Sequence, residues 1–235
     1  VNRSALVTGA SRGIGLAIAR ALAGQGVRVA LVARNAEKLN EIASSLGAGA
    51  FAVACDVTDE AAVGGMATKV RSALGGPPDV VVNNAGVFRV AKIEDMPAEL
   101  FAGVLSTNVS GPFLIVRAFV KEMRERGSGH FITIGSTADR HIFTENGAYA
   151  PAKYALRAFH EVLREELRGT GVRNTLVSPA SVDTSMWDGV TFGGDDRITP
   201  SRDVMLRPEN VADAVMYALA QPASVNIDEL RLSHS

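Results

Sequence analysis

The sequence predicts an α/β fold occupying residues 1–235 as a single domain, and three observations carry that prediction. Short apolar runs alternate along the whole chain with segments of helical periodicity. The first run passes through a glycine turn into the first helix, as a βα unit does. Beyond that alternation there is no internal repeat, and no linker divides the chain in two.

Composition narrows the function classes. The 235 residues are 47% hydrophobic and 21% charged, enough apolar content for a substantial core. A net charge of −1 gives no global attraction to nucleic acid or an anionic membrane. The single cysteine, Cys55, excludes an internal disulfide framework and reads as a small core residue, with the cytoplasm as the default compartment. No charged secretory leader precedes Ala5. No run approaches the ~20 apolar residues that a membrane span needs.

Ala5-Leu6-Val7 is the first strand, stopped by Thr8-Gly9. Leu16, Ala17, Ile18, Ala21 and Leu22 then recur at helical spacing, and Val27 to Val32 forms the second strand. The turn between them reads Gly9-x-x-x-Gly13-x-Gly15, with Ser11, Arg12 and Ile14 inside it. Glycines let backbone amides approach a ligand, and the helix start favours negative charge, so a pyrophosphate fits there. The spacing differs from the usual Gly-x-Gly-x-x-Gly, because Ile18 holds the third glycine place. Gly9 to Gly13 also matches the nucleophile elbow of an α/β-hydrolase. That elbow needs an earlier oxyanion-hole loop, and only one strand precedes Ser11.

At the end of the second strand a carboxylate would hold a ribose hydroxyl; here Ala33-Arg34 stands in its place. Arg34, with Arg12, suits a 2′-phosphate, which favours NADP over NAD. Glu37 to Leu46 reads as a helix and Phe51 to Cys55 as the third strand. Asp56, followed by Val57, either accepts from an adenine amine or caps the helix starting near Thr58-Asp59. Asp79 to Val82 is a buried fourth strand ending in Asn83-Asn84-Ala85-Gly86, whose small residues let the backbone lie against a ribose. Asn108 falls in a helical stretch from Leu100 to Arg124 that Gly111-Pro112 should disturb.

Phe131 to Ile134 is the fifth strand, closed by Gly135-Ser136. Tyr149 and Lys153 lie four residues apart at the start of a helix running to Arg168, so they share one face. An ammonium beside a phenol favours the phenolate and lowers its pKa from about 10, which tunes it for acid/base work. With three Tyr and five Lys in the chain, that pair alone is a weak motif. Thr175 to Val177 is the sixth strand. Residues 185–206, mixing glycines with Met186, Trp187 and Phe192, suit a substrate-binding lid, or else a plain surface loop. A helix from Pro208 to Ala220 and a short strand from Asp228 to Leu232 complete the pattern.

Thr8-Gly9-Ala10-Ser11-Arg12-Gly13-Ile14-Gly15, Asp56-Val57, Asn83-Asn84-Ala85-Gly86, Asn108, Ser136 and Tyr149-x-x-x-Lys153 together resemble the short-chain dehydrogenase/reductase family over nearly the whole chain. The resemblance implies a doubly wound Rossmann fold with a mostly parallel seven-stranded sheet, order 3-2-1-4-5-6-7. It implies reversible hydride transfer between a nicotinamide and a ketone, aldehyde or secondary alcohol. Tyr149 would be the general acid/base, Lys153 would lower its pKa and hold the nicotinamide ribose, and Ser136 would steady the oxyanion. Asn108 would hold the kink and a proton-passing water. Pro179, Val182 and Thr184 would contact the nicotinamide, beside the cofactor residues already named. Two departures stand out: Ala180 replaces the usual glycine after Pro179, and the chain ends soon after its last strand, so a homodimer through the helices bearing Asn108 and Tyr149 is expected more firmly than a homotetramer.

Other readings are an NADP-binding regulator without chemistry and, within the family, a 3-oxoacyl-thioester reductase. A sugar-nucleotide epimerase would be longer. Val87, Phe88, His141, Ile142, Phe143, Met186 and Trp187 are the expected substrate walls, suited to a partly apolar carbonyl compound. His160-Glu161 lacks the second histidine of a zinc helix, so no metal is expected.

Overall fold

A computed structural model describes residues 4–190, 192 and 201–235. Seven strands form one sheet: β1 Ser4–Thr8, β2 Arg28–Ala33, β3 Phe51–Ala54, β4 Val80–Asn83, β5 Gly129–Ile134, β6 Val172–Pro179 and β7 Glu229–Leu232. Their order is β3-β2-β1-β4-β5-β6-β7, and every pairing is parallel. The helices are α1 Gly13–Gly24, α2 Ala36–Leu46, α3 Glu60–Leu74, α4 Ala98–Leu105, α5 Gly111–Arg126, α6 Tyr149–Leu167 and α7 Pro208–Ala220.

The two-residue period of the strands divides the core between the faces. Ala5 and Val7, Val29 and Leu31, Val80 and Val82, and Ile132 and Ile134 pack against α1 and α7. Their neighbours Leu6, Ala30, Val32, Val81 and Phe131 join α3 and α5 on the other side. Both faces being covered explains why these strands read as unbroken apolar runs rather than as alternating ones. Each such Leu, Val or Phe contributes about 1.5–3 kcal/mol by burial.

Two expectations are corrected. The disturbance expected at Gly111-Pro112 is present as a π turn at Ser106–Ser110, just ahead of Pro112, but it carries the chain from α4 into α5 without a break. As a result Ala98–Arg126 is one helical run of 29 residues with mean hydropathy 1.3, long and apolar enough by length and composition to cross a membrane. Its Val104, Leu114, Ile115, Phe119 and Met123 are buried inside the protein, as in a core helix. Asp56 caps no helix: Asp59 does so for α3, accepting from the amides of Ala61 and Ala62, while Asp56 closes its own turn through Thr58.

β1 and β4 are adjacent, yet their following helices lie on opposite faces. Such a switch point opens a crevice beyond the carboxyl ends of the strands. Of the expected lid, residues 191 and 193–200 lie outside the described residues. Its described ends are a 3-10 turn at Ser185–Trp187, a buried Phe192, and a second turn at Arg202–Val204.

Candidate active site

One cleft of about 1460 Å³ runs across that crevice. At its outer end lie Arg12, Arg34 and Lys38; at its inner end lie Ser136, Tyr149 and Lys153. Its floor is Gly9, Ser11, Gly13, Ile14, Asp56, Val57, Ala85, Gly86 and Asn108, and its far wall is Pro179, Val182 and Thr184.

The outer end is built largely from backbone. Gly9 and Gly13 have φ of +65° and +54°, values an L side chain resists, so the loop can fold under the start of α1. No side chain caps that start, and no acidic residue stands in its first turn. Its amides are therefore free to meet an anion. The Arg12, Arg34 and Lys38 side chains form no hydrogen bond or ion pair with another described residue. This combination fits a dinucleotide diphosphate with an extra phosphate at the ribose. Lys38 escaped the sequence reading; its signal was its place in the first turn of α2, four residues after Arg34. Asp56 is held ionised below the usual carboxylate range, by its hydrogen bonds from Thr58 and then by Arg34.

Two residues expected to touch a cofactor are absent from the lining. Asn83, the last residue of β4, is 3% exposed and turned into the protein, with both amide atoms unpaired. Asn84 takes the place at the cleft, donating to the Thr8 carbonyl at 2.9 Å. Gly15 is a packing residue, because a Cβ there would collide with the Gly9 carbonyl and the Asn84 amide. His141 and Ile142 also lie outside the lining, exposed to solvent. The Ala180 departure brings no left-handed backbone with it, and its amide donates to the Leu232 carbonyl at 2.8 Å.

The inner end joins the buried Asn108 and Lys153 to the half-buried Ser136 and Tyr149. Asn108, 1% exposed within the π turn, accepts from the Val87 amide at 3.1 Å and donates to the Val87 carbonyl at 2.9 Å. Its side chain therefore holds the loop after β4 rather than the helix kink. Gly86 leaves room for that pairing, since a Cβ there would come within 2.7 Å of Asn108 Oδ1. Tyr149 opens α6 and lines the cleft together with Ser136, one residue beyond Gly135. Lys153, one turn on, donates to the Ile134 carbonyl at 3.0 Å and stands 5.5 Å from the Tyr149 ring centroid.

That geometry corrects the expected tuning of the phenol. Burial pushes Tyr149 up to about 12; the nearby Ser136 hydroxyl opposes this and the Asp139 charge adds to it. Burial also pushes Lys153 down to about 8, with Asp139 opposing. Spacing along a helix puts the two groups on one face, but burial is the largest influence on each. Above the phenol is an aromatic wall: Phe88 meets the Tyr149 ring edge-on at 4.8 Å, Trp187 at 5.2 Å and Phe192 at 6.5 Å. Phe143 and Met186 extend it.

Comparison with known proteins follows the same lines. A family model described as short chain dehydrogenase matches residues 3–192. An uncharacterised oxidoreductase of Staphylococcus haemolyticus is 37% identical over 229 residues, covering 97% of this chain and 95% of that one. Among solved structures, the alcohol dehydrogenase of Thermococcus sibiricus complexed with 5-hydroxy-NADP superposes with a TM-score of 0.87 at 33% identity, over 99% of this chain and 96% of that one. A single-substitution variant of the actinorhodin polyketide ketoreductase with NADPH gives a TM-score of 0.89 at 32% identity, over 98% and 95%.

Proposed function

The chain belongs to the short-chain dehydrogenase family and is an oxidoreductase, and we propose that it is an NADPH-dependent reductase of partly apolar ketones and aldehydes. The observation that carries this is a single cleft with Arg12, Arg34 and Lys38 at one end and Ser136, Tyr149 and Lys153 at the other. The NADP-complexed and NADPH-complexed neighbours support the same cofactor.

Gly9, Ser11, Gly13 and Ile14 hold the diphosphate, and Arg12, Arg34 and Lys38 hold the 2′-phosphate. Asp56 and Val57 would face the adenine, and Ala85 and Gly86 the adjacent ribose. Lys153 would hold the second ribose, and Pro179, Val182 and Thr184 would flank the nicotinamide. When bound, that nicotinamide supplies a hydride to the carbonyl carbon. Tyr149 supplies the proton to the carbonyl oxygen. A phenol pushed up to about 12 is protonated at neutral pH, which suits reduction. Ser136 donates to the developing oxyanion, an effect of about 3–4 kcal/mol for one such donor. Lys153, mostly charged below its value of about 8, faces the alkoxide side with a positive field. Reduction should therefore weaken as pH rises through 8.

The wall of Phe88, Trp187 and Phe192 takes an apolar substituent of the carbonyl compound. A 3-oxoacyl thioester is the second reading, favoured by the ketoreductase neighbour. The exposed Phe113, Tyr154 and Val162 on α5 and α6 suit a homodimer through those helices. The deciding test is loss of NADPH absorbance against a panel of aryl ketones, aldehydes, quinones and acyl thioesters. Turnover of aryl ketones, with NADH at least about tenfold poorer, is the expected result. No turnover across the panel would return the chain to a cofactor-binding regulator.

A further inference from the structure

Three residues after Ser136 comes a carboxylate that the proposed reaction does not use. Asp139 is 0% exposed, in a protein whose surface could have taken it at no cost. Its position is over-determined. Its amide donates to the Ser136 carbonyl at 3.0 Å, closing the short 3-10 turn Thr137–Asp139. Oδ2 accepts from the Ser178 hydroxyl of β6 at 2.7 Å, and Oδ1 accepts from Arg140 Nε at 2.7 Å. The far side of the Arg140 guanidinium pairs with Glu229 of β7 at 2.6 Å. Gly135 has no side chain because the Ser178–Asp139 bond lies where one would stand: a Cβ there would come within 2.6 Å of Ser178 Oγ and 3.3 Å of Asp139 Oδ2.

We propose that Asp139 is a positioning residue, fastening the Ser136 turn to the end of β6 and presenting a buried negative charge to Lys153 and Tyr149. The inference rests on the reductase reading, in which both of those groups must keep their protons. The charged and titratable groups around Asp139 are Lys153 and Tyr149 on α6, Arg140 beside it, and Glu229 on β7 behind Arg140. Asp139 opposes the desolvation that would strip Lys153, and it adds to the burial that holds the phenol protonated. Both effects act in one direction: removing the charge lets both protons leave at lower pH. Ser178 immediately precedes Pro179, so the same carboxylate also ties the Ser136 turn to the wall assigned to the nicotinamide.

Asp139→Asn and Arg140→Gln form the test, with the pH profile of kcat for NADPH-dependent reduction as the readout. Asp139→Asn is expected to move the alkaline limb to lower pH by about half a unit or more. Arg140→Gln removes the counter-cation and is expected to move it to higher pH. Asp139→Glu, which keeps the charge but displaces it, should lower kcat while leaving the limb near its wild-type place. A folded Asp139→Asn enzyme with the wild-type limb overturns the proposal. Should Asp139→Asn fail to fold, an Arg140→Gln limb that stays put or moves to lower pH overturns it equally. Tyr149→Phe separates the two levels: if that variant keeps turnover, the reductase assignment of Tyr149 itself falls. If it is inactive and the charge variants leave the limb unmoved, only the role of Asp139 falls.

Discussion

The two edges of the sheet both bury titratable side chains, with opposite consequences. At the amino edge, His130 begins β5 and donates to or accepts from Thr175 Oγ1 at 2.8 Å, while His160 on α6 bonds the Asp228 backbone. Burial lowers His130 to about 3 and His160 to about 4. Both are then neutral at pH 7, the form they would mostly hold in water, so their burial costs little there. At the carboxyl edge, Lys153 falls from 10.5 to about 8, and it is still mostly charged at pH 7. A shift of that size corresponds to about 3 kcal/mol against folding. Lys153 lines the cleft of about 1460 Å³ at the carboxyl edge, whereas neither His130 nor His160 lines it. Burial of an ionisable group therefore points to chemistry where a standing penalty at working pH coincides with open space.

The sharpest way to break this contrast is at the costly edge. Tyr149→Phe should lose about 10²–10⁴ in kcat with NADPH binding retained, and turnover within tenfold of wild type would remove Tyr149 from the acid role. Lys153→Met should be similarly inactive yet more stable, by about 1–3 kcal/mol after the lost Ile134 hydrogen bond is subtracted; denaturant unfolding measures this, and a destabilised variant would contradict the penalty. At the outer end of the cleft, Arg34→Asp should lower kcat/KM for NADPH about 10- to 100-fold and narrow or reverse the preference over NADH. An unchanged ratio in initial rates would mean that Arg12 and Lys38 carry the discrimination alone.

At the amino edge the expected effect is on the pH dependence of stability and leaves turnover unchanged. His130 has a folded pKa below its unfolded 6.5, so the unfolded chain binds the proton first. Stability is complete above pH 6.5 and is lost as pH falls toward 3, at up to about 1.4 kcal/mol per pH unit for this group. His130→Gln should flatten that slope in urea titrations between pH 6.5 and 4 and leave kcat untouched. A slope identical to wild type would place the acid sensitivity elsewhere, with His160 next in line.

Sequence reading reached the features that local geometry dictates. Gly9 and Gly13 are glycines because their φ values require it, so the turn between β1 and α1 was legible, and the apolar runs of a sheet covered on both faces gave the strands. It failed where tertiary packing chose the outcome. Asn83 and Asn84 are adjacent and identical, and only the pleat decides which turns inward. Asp56 and Asp59 both resemble caps, and the start of α3 settles it for Asp59. The protonation of Tyr149 depends on how deeply α6 sits, which an i, i+4 spacing does not encode. Asp139 carried no periodic signal at all, because its partner Ser178 lies on a strand 39 residues further on, and Arg140 beside it is held by Glu229 on β7.

Trp187 is the only tryptophan in the chain, and it stands at the mouth of the cleft against Phe88. Ultraviolet emission from this protein thus comes with a spatial label already attached. A quench or spectral displacement on adding a dinucleotide or a ketone is a report from the doorway, with Phe88 touching both this ring and that of Tyr149, and with no dye and no background from a second indole.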